Sequence, residues 1–324
     1  QKQEKSGGLT YDVTNAENHT SIVTIAPSPR DRNVIWVGTD DGQVQITRDG
    51  GKTWTNVTGR IPKLPDNTWC PHIEASKFAG STCYAVFEDH RRSNWTTYIY
   101  KTENYGKKWK SLTKNNPISL ADAGAPEEWG FAHVIEQDPV KKELLYLGTE
   151  FGLFISFNDG KNWMKWKHGV PTVPVRALIV HPRDHDLIIG THGRAAFVLD
   201  DVRPLRSISE KLLAKQLHVF EVVAAYQHHI KAVAGYHFPA DAIFQGENRA
   251  YGALITYYLN PDQLNKEKKV DTEKAENVNN GKVKKKKNVN IEIYSASDKL
   301  VRKLENPVKG GLNRIFWNFP ENIK

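Results

Sequence analysis

Five carboxylates stand where glycosidic chemistry could use them: Asp40, Asp41, Glu88, Asp89 and Glu150. That chemistry needs two carboxyl groups across a sugar, about 5–5.5 Å apart for retention or about 6.5–9.5 Å for inversion. Asp40 and Asp41 fill a tight turn, and turn chemistry alone accounts for them, because short acidic side chains accept bonds from nearby backbone N–H groups. Glu150 holds the analogous place in a later turn that needs no carboxylate. Glu88 and Asp89 are followed by His90 and Arg91, a dense polar loop tip that can contact a ligand or stay solvated. His192 and Arg194 flank Gly193. A guanidinium there could clamp a carboxylate in a bidentate fork, or pair with Asp200 or Asp201. Trp69, Trp95 and Trp129 could stack on sugar rings or cap an apolar peptide side chain. Metal chemistry is not indicated. His72-Ile73-Glu74 lacks the Pro-Cys-x-x-Cys partner of a zinc deaminase, and His181 and His185 belong to a turn on the opposite face from His192. No metal and no cofactor is expected.

The elements that must position these groups are set by an internal repeat. Thr47-Arg48-Asp49-Gly50-Gly51-Lys52-Thr53-Trp54 recurs as Thr102-Glu103-Asn104-Tyr105-Gly106-Lys107-Lys108-Trp109 and as Ser156-Phe157-Asn158-Asp159-Gly160-Lys161-Asn162-Trp163, at spacings of 55 and then 54 residues. Each copy has a hydroxyl residue first, Asp or Asn third (Asp49, Asn104, Asn158), Gly fifth (Gly51, Gly106, Gly160) and Trp eighth (Trp54, Trp109, Trp163). The acid or amide bonds the turn backbone, Gly supplies the positive φ, and each Trp is expected to pack into the core. Val34–Ile46, Leu144–Ile155 and a shortened Leu187–Asp200 precede or echo these turns with a shared Gly-Thr turn. Four short antiparallel strands per unit of this length are the mark of a propeller blade. The fold class expected is all-β: a partial propeller of three full blades plus part of a fourth, over residues 1–206. Closed propellers typically need about 4–8 blades, so further blades are expected upstream or on another chain.

Blade topology sorts the loops. The A–B turns and the Asp/Asn turns share one face, and the B–C and D–A loops share the other. The second set varies in length and carries Trp69, Trp95 and Trp129. Variable loops on a rigid scaffold are where binding concentrates, so Trp69, His90, Arg91, Trp95, Trp129, His192 and Arg194 are the ligand-binding candidates, and Asp41, Glu88, Asp89 and Glu150 the catalytic ones.

The turn resembles the Asp-box, or BNR repeat, of sialidases, sortilin-like receptors and xyloglucanase-type glycoside hydrolases. Trp36-Val37-Gly38-Thr39-Asp40-Asp41-Gly42, Gly148-Thr149-Glu150-Phe151-Gly152 and Thr191-His192-Gly193-Arg194 look like the large bacterial branch of sortilin-like and glycosyl-hydrolase-like BNR proteins. The resemblance covers about residues 8–206. It implies a secreted, periplasmic or cell-surface propeller, in which the Asp-boxes stabilise turns and are not catalytic. A sialidase would also need three clustered Arg and a Tyr nucleophile, which Arg91, Arg176 and Arg194 do not reproduce. Two functions follow: a scaffold binding a glycan, peptide or protein partner on the B–C/D–A face, or a glycoside hydrolase whose carboxylates lie partly in upstream blades.

Beyond residue 206 the repeat stops. Ser207–Phe220 contains a short amphipathic stretch that reads as a linker helix, and His218–Ala224 reads as a strand, both within a linker over 207–250. The strands Tyr251–Leu259, Asn288–Tyr294, Leu300–Leu304 and Asn313–Asn318 suggest a small immunoglobulin-like sandwich over 251–324, of the kind that follows propellers in that bacterial family. The insert 261–288 holds nine Lys against five acids and reads as disordered. It supplies half of the net charge of +8, so a nucleic-acid platform is not expected. No apolar run approaches the roughly 18 residues of a membrane span. Cys70 and Cys83 fall on a hairpin whose register sets Cys70 opposite Phe87 and Cys83 opposite Glu74, which argues against a disulfide.

Overall fold

A computed structural model describes residues 20–113, 129–227, 249–264 and 288–319. The disorder expected for the Lys-rich insert, and most of the long D–A loop before Trp129, fall outside the described residues. The chain divides into two compact units, Gln1–Arg206 and Ser207–Lys324.

The first unit is a run of propeller blades. Blade 1 is the sheet β1 (Ile22–Pro27), β2 (Ile35–Thr39), β3 (Val44–Thr47) and β4 (Thr55–Asn56). Blade 2 is β5 (Trp69–Ala75), β6 (Cys83–Asp89), β7 (Asn94–Thr102) and β8 (Trp109–Ser111). Blade 3 is β9 (Ala132–Gln137), β10 (Leu145–Thr149), β11 (Gly152–Ser156) and β12 (Met164–Lys165). Blade 4 has three strands, β13 (Val175–Val180), β14 (Leu187–Thr191) and β15 (Ala196–Leu199). A short helix α1 (Arg203–Arg206) follows, anchored by Arg206 Nε at 3.0 Å from both oxygens of the buried Asp138.

The repeated turns have one geometry. In each, the first hydroxyl meets the Asp or Asn oxygen, at 2.8 Å for Thr47–Asp49 and 3.1 Å for Thr102–Asn104 and Ser156–Asn158. The same hydroxyl accepts the Gly N–H of Gly51, Gly106 or Gly160 at 2.9–3.0 Å. The Asp or Asn oxygen then accepts the N–H four residues on, from Thr53, Lys108 or Asn162, at 2.8–2.9 Å. Bonds from the Thr53 hydroxyl and N–H hold the Asp49 carboxyl well below its usual range. Gly106 and Gly160 have φ of 73° and 76°. Both also pass the preceding blade so closely that a Cβ would lie 2.9 Å from Val57 or 2.7 Å from Leu112.

The core is a series of inter-blade layers. One joins Trp36, Ile46 and Val57 of blade 1 to Ile73, Phe87 and Trp109 of blade 2. The next joins Tyr84, Ile99 and Leu112 of blade 2 to Ile135, Phe154 and Trp163 of blade 3. Each turn Trp therefore packs on the blade before it. This corrects one expectation: Trp109 and Trp163 are core residues, but Trp54 is 42% exposed, because no described blade stands in front of it.

A second correction concerns the β5–β6 hairpin. A bulge between Trp69 and His72 slips the register by one, so that Cys83 pairs with Ala75 and Glu74 with Tyr84. Both thiols are buried and free.

The second unit is a small β-sandwich. One sheet holds β16 (Leu217–Val219), β17 (Ala253–Leu259) and β20 (Gly311–Trp317), and the other is the hairpin β18 (Asn288–Tyr294) and β19 (Leu300–Pro307). The expected linker helix is only one turn long, α2 (Glu210–Leu213), capped by the Ser209 hydroxyl. Strand β16 pairs with β17, so part of the segment read as linker belongs to the sandwich. Val289, Ile291 and Ile293 alternate toward the first sheet, with a cavity of about 460 Å³ between the two.

Candidate functional site

The B–C loop of blade 2 grows out of β6, which ends in Glu88 and Asp89. A single 3-10 turn, His90–Arg92, is closed by Ser93 in the left-handed region at φ 58°. Asp89 organises this loop. It accepts Arg92 Nε at 2.6 Å and Asn94 Nδ2 at 2.9 Å. Arg92 in turn ties the tip to the D–A loop through the Asp66 carbonyl at 2.8 Å and Thr68 Oγ1 at 3.1 Å. Asp89, a catalytic candidate by sequence, is thus spent on the loop.

Blade 3 supplies the other wall. Thr97 Oγ1 donates to the Gly130 carbonyl at 2.6 Å, and the Glu150 N–H donates to the Phe131 carbonyl at 3.1 Å. Gly130 has φ 66°, and a Cβ there would lie 2.6 Å from the Cβ of Glu150. Glycine is what lets the strand pass the B–C turn at this point.

Glu88, His133 and Glu150 meet between these walls. His133 Nε2 lies 2.9 Å from Glu150 Oε2, and His133 Nδ1 faces Glu88 Oε2 at 3.3 Å. The second contact is off the line of a hydrogen bond, and both of its atoms lack a hydrogen-bond partner. Glu88 and His133 are buried, and Glu150 keeps partial exposure. Burial pushes the Glu88 carboxyl up. The facing His133, with His90 and Arg91, outweighs it and holds the group below its ordinary range. Burial lowers His90, helped by the charges of Arg91 and Arg176 against those of Glu88 and Glu150.

An aromatic layer covers this cluster. His90 stacks on Phe131 with centroids 4.3 Å apart and planes 14° apart, and Phe131 meets His133 edge-on at 4.8 Å. Trp95 leans on both, 6.2 Å from His90 and 5.9 Å from Phe131, and is 57% exposed. Phe151, next to Glu150, is 40% exposed. Arg91 lies 3.7 Å over the Trp69 ring, which leaves that face of Trp69 covered.

The sequence candidates therefore divide. Glu88, His90, Arg91, Trp95 and Glu150 come together, with Trp69 behind Arg91. Trp129 does not join them. It is 2% exposed and packs on Phe154 at 4.9 Å, inside the layer between blades 2 and 3. Its loop position hid the fact that the chain turns inward before β9. Asp41 is buried and accepts the Thr39 hydroxyl at 2.5 Å, while Asp40 accepts the Ser21 N–H at 2.8 Å, so both serve the turn. His192 and Arg194 are exposed on blade 4, and Asp201 pairs with Arg203 at 2.6 Å. Phe131 and His133 were missed, and Arg176 was weighed only as a sialidase arginine. A bulge at His133 shifts the register of β9, so that Ala132 rather than His133 shares the layer of Ile135, and simple alternation gave no signal for the site residues. Among the described residues no group of three or more His, Cys, Asp or Glu is set to hold a metal, and no helix is long and apolar enough to cross a membrane.

No family model matches the chain, and no curated protein matches it in sequence. Solved propellers resemble it in part. YCF48 bound to the D1 peptide aligns at 18% identity and TM-score 0.39, over 57% of this chain and 53% of that one. The GH74 xyloglucanase of Xanthomonas campestris aligns at 14% identity and TM-score 0.41, over 55% and 29%. The extracellular domain of BT4673 from B. thetaiotaomicron aligns at 16% identity and TM-score 0.40, over 59% and 22%. The chain thus matches about half of the first and less than a third of the other two.

Proposed function

We propose that the first unit is an extracytoplasmic propeller scaffold of the Asp-box type that binds a glycan on its B–C/D–A face. The observation that carries this reading is Trp95, an exposed indole that leans on the stacked rings of His90 and Phe131. A fixed, flat apolar ring can stack on a sugar ring with little loss of side-chain freedom. The Glu150 carboxylate and the Arg91 guanidinium, borne by the same set of loops, can bond the hydroxyls.

Binding fits better than hydrolysis. Glu88 and Glu150 are close, but they lie on opposite edges of one imidazole, and that ring fills the space a scissile bond and its water would need. The role of the buried layer is to hold Glu150 in place.

A glycan array, repeated with Trp95→Ala and Glu150→Gln, tests the reading. Binding should fall at least tenfold in the first variant and severalfold in the second. Binding of peptides but no glycan overturns the ligand class. Hydrolysis of a glycan by this chain, lost in Glu150→Gln, overturns the binding role.

A further inference from the structure

His133 is 3% exposed and has a carboxylate at each ring nitrogen. Glu150 Oε2 lies 2.9 Å from Nε2, and Glu88 Oε2 lies 3.3 Å from Nδ1. The carboxylates come from blades 2 and 3, and the β9 imidazole stands between them. A neutral imidazole has one N–H and one lone pair. Whichever nitrogen carries the proton, the other aims its lone pair at a carboxylate oxygen. Facing acceptors are costly where water cannot answer them. Glu88 sharpens the conflict. It is 5% exposed, and its Oε2 accepts no hydrogen bond. Its partners within ion-pair distance are two imidazoles, His133 Nδ1 at 3.3 Å and His90 Nδ1 at 3.7 Å. Only a doubly protonated His133 offers a donor to both sides.

The groups around the ring leave that charge to His133. His90 and Arg91 stand on the B–C turn, Arg176 on β13 and His72 on β5. Burial, with the charges of Arg91 and Arg176, disfavours a proton on His90. His72 reaches the Ile135 N–H at 3.5 Å, and burial, then the charge of Lys77, pushes it down to about 4. We propose that His133 is a positioning residue that works as an imidazolium, bridging Glu88 to Glu150 and holding the Glu150 carboxylate fixed on the binding face. The inference rests on the reading of that face as the ligand site. Glu150 in this state only accepts, so it selects ligand groups that donate, such as hydroxyls. Loss of the proton turns the bridge into two facing acceptors. Glu150, the more exposed partner at 28%, then turns away. The charged ring is the binding state, so binding is lost as rising pH removes its second proton.

Nuclear magnetic resonance of the full chain, labelled at the histidine ring nitrogens and the glutamate carboxyl carbons, tests this from pH 5.5 to pH 8.5. His133→Asn and Glu150→Gln assign the signals. Both His133 nitrogens should carry protons at pH 5.5. One proton should leave as pH rises, and the Glu150 carboxyl signal should move in the same interval. Glu88→Gln should shift that interval to lower pH, because it removes one of the two charges that favour the imidazolium. A ring with one proton throughout, or a Glu150 signal indifferent to the ring, overturns the proposal. The second arm is affinity for the best glycan of the array. It should fall about tenfold from pH 5.5 to pH 8.5, the loss of one charge-assisted hydrogen bond. His133→Asn should bind at pH 5.5 no better than the wild-type chain at pH 8.5. Affinity that stays flat while the ring titrates overturns the positioning role. If no glycan binds, the first arm decides alone: a doubly protonated ring coupled to Glu150 upholds the inference, and only the glycan reading falls.

Discussion

The packing of each turn Trp on the preceding blade makes the same substitution cost different amounts in different blades. A buried Trp removes roughly 200 Å² from water, which at about 25 cal/mol per Å² is worth about 5 kcal/mol. Trp163 is covered almost completely by the Tyr84–Leu112 layer. Trp163→Ala should therefore cost about 4–5 kcal/mol, in the range of large-to-small core changes that leave a cavity. Trp54 is 42% exposed. Trp54→Ala should cost about 2 kcal/mol, because solvent already reaches the site and fills the space. With a urea dependence of about 2–3 kcal/mol per M, the two midpoints should differ by about 1 M. The assay is urea unfolding of the chain, followed by near-ultraviolet circular dichroism. Equal midpoint shifts, or a larger one for Trp54→Ala, would refute the claim that cover comes from the blade in front.

Three further outcomes are expected. Burial, then the charge of Glu74, raises Glu136 to about 7 against the pull of Lys77 at 3.0 Å. A raised folded-state value means that the stabilisation is full below the ordinary Glu range and is lost as pH rises through about 7. The wild-type urea midpoint should therefore fall between pH 5 and pH 7.5, and Glu136→Gln should flatten that slope; an unchanged slope contradicts the assignment. Gly130→Ala should cost about 1–2 kcal/mol from its positive φ. It should also weaken ligand binding severalfold by displacing Glu150, read by thermal unfolding and the glycan array together. Arg206→Ala should destabilise the first unit by about 3 kcal/mol, because it leaves the carboxylate of Asp138 buried without its main partner; urea unfolding measures it.

The turns were legible in sequence because their chemistry is local. Thr47, Asp49, Gly51 and Thr53 bond one another within a few residues, and spacing alone exposes such a pattern. Cover is not local. Trp54 and Trp163 occupy the same place in the same motif, and only the neighbouring sheet decides which is core. Trp129 shows the reverse error, a loop residue drawn into the layer next to Phe154. The site was half legible for the same reason. Glu88, His90, Arg91 and Trp95 share one loop and stood out together. His133 and Phe131 come from another blade and join them only through the packing of β9 against β6. The one-residue bulge after Trp69 had no signature in the alternation of β5, so the cysteine register was off by one.

Where a ligand touches the propeller is the decisive observation. Hydrogen–deuterium exchange of the chain with and without its best array glycan reads this directly. Protection is predicted at Glu88–Thr97, Gly130–His133 and Glu150. Protection instead at the turns 47–54, 102–109 and 156–163, on the opposite face, would contradict it.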